Sequence, residues 1–297
     1  MKKTLAMMTA AVMVAGALSG CGSSSSTPAA TTAAATEAAT TAAATEAATT
    51  EAAGDTAAAA EGTVKTPSGK FTVGFDQEFP PMGFVGDDGQ FTGFDLELAK
   101  EVASRLGLEF VPQPINWDAK DMELDSGNID CIWNGFTMQG REDDYTWVGP
   151  YMANNQVFVV TADSDIASKA DLAGKAVEVQ KDSSGLAALQ GDAELSASFG
   201  SMTEVADYNT ALMDLESGAC DAVCMDSIVA GYQIKSSGKD MKILDDTLSA
   251  EEYGIGFKKG EDELAKAVHD TLMDMKDDGT VAKISNDWFG SDVFTLK

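Results

Sequence analysis

Ile129-Asp130-Cys131-Ile132-Trp133-Asn134-Gly135-Phe136-Thr137-Met138-Gln139-Gly140-Arg141 is an apolar run that opens into a short polar stretch. Residues 129–133 read as a buried strand, with residues 134–141 following at its carboxyl end. A Gly, a Thr and an Arg in that place suit a small carboxylate. Gly lets a ligand approach the backbone. Thr offers a hydroxyl and a main-chain N–H. Arg offers a planar fork that bonds both oxygens of a carboxylate at once. The competing reading is a surface Arg141 paired with Glu142 or Asp143, and this stretch alone leaves both open.

Outward from it, strands alternate with helices. Residues 70–75 read as a first strand. Asp87-Asp88-Gly89 lies between Phe84-Val85 and Phe91-Thr92 and signals a hairpin turn. Residues 96–106 are helical, with Leu96, Ala99, Val102, Ala103 and Leu106 on one face and Gly107 as the stop. A strand at 109–111 and a short helix at 122–126 lead into the strand at 129–133. The pattern then recurs. Strands are expected at 156–161, 176–180, 222–225, 242–244 and 253–258, and a single turn of helix at 170–175. Longer helices are expected at 186–190, 208–217, 228–234 and 261–276. In the last, Leu264, Val268, Leu272 and Met275 share a face. Such alternation means an α/β protein with mostly parallel sheets, whose ligands bind beyond the strand carboxyl ends. Two similar halves imply two lobes with a cleft between them.

The chain has 297 residues, and its first part has a different character. Lys2 and Lys3 precede an apolar run over residues 5–18, followed by Leu18-Ser19-Gly20-Cys21, the pattern of a secretory signal at 1–20. Cys21 after small residues resembles the lipobox of bacterial lipoproteins, which implies a lipidated Cys21 as the mature N-terminus. The alternative is a plain signal peptide with an incidental Cys. Residues 22–62 are mostly Ala, Thr, Ser and Glu without Lys or Arg, and a nine-residue unit at 31–39 recurs at 40–48. This segment has too little apolar surface to fold. It is expected to be a tether, with residues 21–63 spanning roughly 35 Å root-mean-square as a random coil. Without Lys2, Lys3 and the tether acids Glu37, Glu46, Glu51, Asp55 and Glu61, 18 basic and 43 acidic residues remain, a net charge near −25. That balance argues against nucleic acid as a partner.

Little points to metal or covalent chemistry. Cys131, Cys220 and Cys224 match no zinc spacing and are expected to be buried or semi-buried thiols. His269 is the only His, which leaves no His-based triad or His metal cluster. The paired acids lack a calcium-loop spacing. No cofactor and no metal are expected.

The body as a whole resembles the bacterial extracellular solute-binding proteins of the polar amino-acid family (family 3), the receptors of ABC importers. Five stretches carry the resemblance in order: Phe75-Asp76-Gln77-Glu78-Phe79-Pro80-Pro81-Met82; Thr92-Gly93-Phe94-Asp95-Leu96-Glu97-Leu98-Ala99; Asn134 to Arg141 with Gly149-Pro150-Tyr151; Gly218-Ala219-Cys220-Asp221-Ala222-Val223 with Asp226; and Tyr253-Gly254-Ile255-Gly256-Phe257 with Asp278-Gly279-Thr280 and Asn286-Asp287-Trp288-Phe289-Gly290. The resemblance implies the two-lobed periplasmic-binding-protein fold of type II with a two-strand hinge. Lobe 1 is expected at 64–150 and 254–297, lobe 2 at 155–249, and the hinge at 151–154 and 250–253. It further implies a monomeric receptor outside the cytoplasm, lipid-anchored to the membrane, that hands an amino acid to an ABC permease.

The resemblance also assigns residues. Arg141 is similar to the arginine that clamps the ligand's α-carboxylate, and Thr137 to the residue that shares this task. Gly135 matches the carbonyl that accepts from the α-amino group. Asp226 matches the carboxylate that pairs with the α-ammonium; by its own sequence it could equally cap the helix that follows. Ser183 and Ser184 match the second lobe's donors to the carboxylate. Asp76, Phe79 and Trp117 are expected around the ligand's side chain, and Asp76 favours a polar or basic one. Two departures stand out. The stretch from Thr137 to Arg141 is one residue shorter than usual, and Asp182 stands where Gly is usual. Two other functions remain open: an enzyme of the cyclohexadienyl dehydratase type on the same scaffold, and a sensing subunit for a membrane receptor.

Overall fold

The computed structural model describes Thr66 and residues 68–297. The expected signal at 1–20, the lipidated Cys21, the tether to residue 63 and the start of lobe 1 at residue 64 lie outside the described residues.

Strand β1 (Lys70–Phe75) forms where expected. A small antiparallel sheet follows, made of β2 (Glu78–Phe79), β3 (Gly83–Val85) and β4 (Phe91–Thr92), with the Asp87-Asp88-Gly89 turn between the last two. Gly93 then starts helix α1 (Phe94–Leu106) against this sheet. A Cβ on Gly93 would stand 2.3 Å from the Met82 carbonyl oxygen, so no other residue fits there. Helix α1 buries Leu96, Leu98, Ala99, Val102 and Ala103 and ends at Gly107, whose left-handed backbone returns its N–H to the helix carbonyls.

Strand β5 (Glu109–Pro114) is longer than its apolar triplet, and a 3-10 turn at Trp117–Ala119 leads into α2 (Lys120–Ser126). Strand β6 (Cys131–Thr137) starts later and runs further than the expected 129–133: Asn134, Gly135, Phe136 and Thr137 belong to it, and every residue of β6 is buried. The polar residues hold strand geometry because a neighbour pairs with them.

That neighbour is one of two very long strands. Strand β7 (Tyr145–Thr161) has 17 residues; it joins the strand expected at 156–161 to the hinge strand expected at 151–154 and extends back to Tyr145. Between it and its partner come β8 (Ala176–Gln180), α3 (Ser184–Gly191), α4 (Ala193–Ser198), β9 (Ser201–Val205), α5 (Tyr208–Ser217), β10 (Ala222–Asp226) and α6 (Ser227–Ser237). Strand β11 (Met241–Lys258) then fuses the two short strands expected at 242–244 and 253–258. Helices α7 (Asp262–Asp277) and α8 (Thr280–Phe289) complete the chain. On α7 the buried apolar residues are Ala265, Val268, Leu272 and Met275; Leu264 is only half-buried.

The main sheet runs β5-β1-β6-β11-β7-β10-β8-β9. Strands β5, β1 and β6 are parallel at one end, and β10, β8 and β9 are parallel at the other. Between them β7 and β11 pair antiparallel from Met241↔Thr161 to Lys258↔Tyr145. Each therefore belongs to both halves. Helices α1, α7 and α8 pack around the first half, and α3, α5 and α6 around the second. This is a two-lobed α/β architecture. The expected hinge segments, 151–154 and 250–253, face each other in the middle of the β7–β11 ladder, with Glu251 opposite Asn154 and Tyr253 opposite Met152.

Candidate functional site

The carboxyl ends of β6, β8 and β10 converge where β7 and β11 pass between the halves. Asp226, the last residue of β10, is buried there. It occupies the position before α6, yet its side chain does not cap that helix. Its oxygens instead accept from the Asn154 amide at 2.6 Å, the Tyr253 hydroxyl at 2.8 Å and the Tyr208 hydroxyl at 3.1 Å. The same Asn154 nitrogen donates to Glu251 Oε1, also at 2.6 Å. The Asn154 oxygen accepts from Ser227 Oγ, which fixes the amide with its nitrogen toward the two carboxylates. Burial and the neighbouring Glu251 charge push the Asp226 carboxyl up to about 7.

Glu251 links this carboxylate to Ser184, from which one further bond crosses to the opposite half. Its Oε1 accepts from Gln156 Nε2 at 2.7 Å and from the Ser184 hydroxyl at 3.3 Å. Ser184 in turn accepts from the Thr137 hydroxyl at 3.2 Å. Arg141 donates to the Thr137 carbonyl at 3.2 Å and lies 5.1 Å from the Phe136 ring centre. One hydrogen-bonded chain thus runs from Arg141 through Thr137, Ser184, Glu251 and Asn154 to Asp226. The Ser183 hydroxyl is spent elsewhere: it accepts from Leu186 N as the cap of α3 and donates to the Gln180 carbonyl. Of the two serines, Ser184 alone has its hydroxyl in the chain.

Gly135 sits beside the same centre in the left-handed region, at φ 56. A Cβ there would lie 2.9 Å from the Phe79 ring and 3.1 Å from the Tyr253 ring. Its N–H donates to Asp95 at 2.7 Å, and the Tyr151 hydroxyl donates to the same oxygen at 2.8 Å. Asp95 is completely buried, and burial pushes its carboxyl up to about 7.

Asp76 follows β1 and is buried, with its carboxyl pushed up to about 6 by burial. It accepts from Gln180 across the cleft at 2.7 Å. Asp76 and Trp117 line a groove of about 960 Å³ between the halves, together with Glu78, Glu123, Glu204 and Asp207. Trp117 also packs edge-on against Phe136, 5.5 Å between ring centres, so it is core and wall at once. Phe79 packs on Tyr208 at 5.8 Å. Arg141 and Ser183 line a second groove, of about 560 Å³. Further bonds join the halves: Glu78 to Asn209, Asp118 to Lys181, and Asp182 to both Lys120 and Arg141. These bonds hold the two halves against each other beside the grooves.

Residues 71–291 match the bacterial extracellular solute-binding proteins, family 3. The chain belongs to that family. It is 32% identical over 231 residues to the L-cystine-binding protein TcyJ of Escherichia coli strain K12, covering 76% of this chain and 84% of TcyJ. It is 30% identical over 226 residues to the arginine-binding extracellular protein ArtP of Bacillus subtilis strain 168, covering 74% of this chain and 86% of ArtP. Its fold is similar to that of an ABC uptake transporter substrate-binding protein from Streptococcus pneumoniae with bound histidine. There the TM-score is 0.74 at 34% identity, covering 77% of this chain and 95% of that one.

The sequence reading of this solute-binding protein missed Asn154, Gln156, Glu251, Tyr208 and Tyr253. The signal was available in part. Asn154-Asn155-Gln156 is a polar break at the front of an apolar strand, where buried amides imply buried partners. Glu251 and Tyr253 fall within the second expected hinge segment, 250–253, and nothing local marks them. Among the described residues no group of three or more His, Cys, Asp or Glu side chains could hold a metal, and no helix is long and apolar enough to cross a membrane. Cys131, Cys220 and Cys224 are free and buried.

Proposed function

We propose that this protein captures an amino acid in the cleft between its halves and delivers it to an ABC importer. The observation that carries the reading is the chain from Arg141 to Asp226. It links a guanidinium on one half, in the loop just after β6, to a buried carboxylate at the end of β10 on the other. A zwitterion needs both charges fixed. Each charge-assisted bond contributes about 1.5–3 kcal/mol net, and a micromolar complex needs about 8 kcal/mol. A few such bonds plus burial of the ligand's side chain are enough. With its two ends held by different halves, a ligand binds fully only when the cleft closes, which is hinge closure about β7 and β11.

In this reading Arg141, Thr137 and Ser184 receive the α-carboxylate, with Ser183 acting through its main chain at the α3 N-terminus. Asp226 and the Gly135 carbonyl receive the ammonium. Phe79 and Trp117 flank the side chain, and Asp76 meets its polar end. The groove beyond Asp76 is acidic, and its Lys181 is already paired with Asp118 at 2.6 Å. That balance supports a polar or basic side chain. The lobes are assigned as 64–150 with 254–297, and 155–249, with the hinge at 151–154 and 250–253. A lipid on Cys21 and the tether to residue 63 hold the receptor outside the cytoplasm at the membrane, beside its permease, as a monomer. Binding requires no covalent step, so we assign no enzymatic activity.

The test is a thermal-shift screen against the twenty amino acids and L-cystine, followed by calorimetry. One of them should raise the melting temperature by mass action. Arg141→Ala should lose that shift, with affinity falling about 10–100-fold, while the unliganded melting temperature stays close to the parent's. Normal binding by Arg141→Ala overturns the site assignment. The absence of any amino-acid shift overturns the function.

A further inference from the structure

Asp182 is the sole non-glycine residue with positive φ among the described residues, at φ 56. It lies between β8 and Ser183, the cap of α3. L-residues with a Cβ disfavour this backbone, and Gly would adopt it freely. A charged residue held there has a use for its side chain. The Asp182 carboxylate bonds the ammonium of Lys120, which comes from the other half of the molecule. The Lys120 side chain is only 2% exposed and its nitrogen lies 5.3 Å from the Trp117 ring centre. A buried ammonium needs a partner, and Asp182 supplies the carboxylate. The Asp182 main-chain carbonyl meanwhile accepts from Arg141 Nη2 at 3.4 Å.

We propose that Asp182 is a positioning residue of the carboxylate clamp, holding Arg141 with its carbonyl and Lys120 with its carboxylate so that the cleft closes onto an ion pair. This rests on the assignment of Arg141 as the carboxylate-binding residue. Opening the cleft separates Lys120 from Asp182 and returns both to water. Closing it brings the ammonium under cover only if the carboxylate arrives with it. The neighbouring Lys181–Asp118 pair also crosses the cleft, but both of its side chains are about half exposed, at 55% and 40%, so water screens it. Lys120 is the covered charge, and its partner decides how firmly the closed form is held. Asp182 itself is 51% exposed, which keeps the effect moderate.

The experiment compares Asp182→Gly, Asp182→Asn, Lys120→Met and the Asp182→Gly/Lys120→Met double variant. Asp182→Gly keeps the left-handed turn and removes only the carboxylate; Asp182→Asn is the control if that variant folds poorly. The first readout needs no ligand: spin labels at Met122→Cys and Met213→Cys report the distance between the halves by pulsed dipolar spectroscopy. Asp182→Gly should move population to longer distances. The second readout is dissociation of L-cystine, L-arginine or L-histidine, whichever the screen retains. Asp182→Gly should speed it about three- to tenfold with little change in association. Adding Lys120→Met should restore much of the loss, because no ammonium is then left unpaired. Fully additive effects in the double variant, or unchanged distances and rates in Asp182→Gly, overturn the proposal. If the parent binds none of the twenty amino acids or L-cystine the functional reading fails, and the label distances still decide the pairing.

Discussion

Gly135 has a left-handed backbone, an N–H anchored on a buried carboxylate and aromatic rings on the side where a Cβ would stand. Gly135→Ala combines a disfavoured φ with contacts of 2.9 and 3.1 Å to Phe79 and Tyr253. It should lower stability by about 1–3 kcal/mol in urea denaturation. It should also weaken ligand binding by more than the loss of stability explains, because both rings belong to the candidate site. An unchanged midpoint with unchanged affinity would show that the rings retreat freely. At this scale the Gly, Thr and Arg of β6 and its exit were readable in the sequence because each residue type has a distinct chemistry. The amides and the second carboxylate were not. Asn154, Gln156 and Glu251 are ordinary polar residues until a partner strand sets them face to face.

Strands β7 and β11 explain where the reading by pattern stopped. Apolar runs mark their outer parts, but Asn154, Asn155 and Gln156 interrupt one, and Asp245, Asp246, Glu251 and Glu252 interrupt the other. Period-two patterning cannot follow a strand whose middle lies in a polar cleft. Edge strand β9 was missed for a related reason: Ser201 to Glu204 are all exposed, so it has no buried face to read. The short helix α4 has no fully buried residue and was missed likewise. Strongly periodic elements such as α1, α5 and α7 were legible. The cross-ladder contact that matters most is Asn154 opposite Glu251, bridging to Asp226. Asn154→Ala removes a donor that bonds both carboxylates at 2.6 Å. It should cost about 1–3 kcal/mol of stability at neutral pH, measured by chemical denaturation, and less at pH 5 where one carboxyl holds a proton. An equal loss at both pH values would mean that the two carboxylates do not interact.

Across the whole molecule, Asp76, Asp95 and Asp226 share one electrostatic direction. Their carboxyls are raised to about 6, about 7 and about 7, chiefly by burial. A raised carboxyl binds its proton more tightly in the folded chain than in the unfolded one, where it titrates near ~4. The unliganded protein should therefore lose stability as pH rises from about 4 to about 7. Asp118, Asp171, Asp270 and Asp278 are lowered and act the other way, below that window. Melting temperatures from pH 4 to pH 8 should show the decline, and Asp95→Asn and Asp226→Asn should each flatten it; a steady rise toward pH 7 would contradict the assignment. Affinity for an amino acid should move oppositely and strengthen with pH, since an ammonium favours the ionised Asp226. The shared β7–β11 ladder has one more consequence, for the order in which the protein can be made. Strand β6 is flanked on one side by β1 and on the other by β11, which leaves the ribosome after all of the second half. Until then the first half has an unpaired strand edge at its centre, a surface that invites mispairing. The first strands of this protein to be made are thus completed by one of the last.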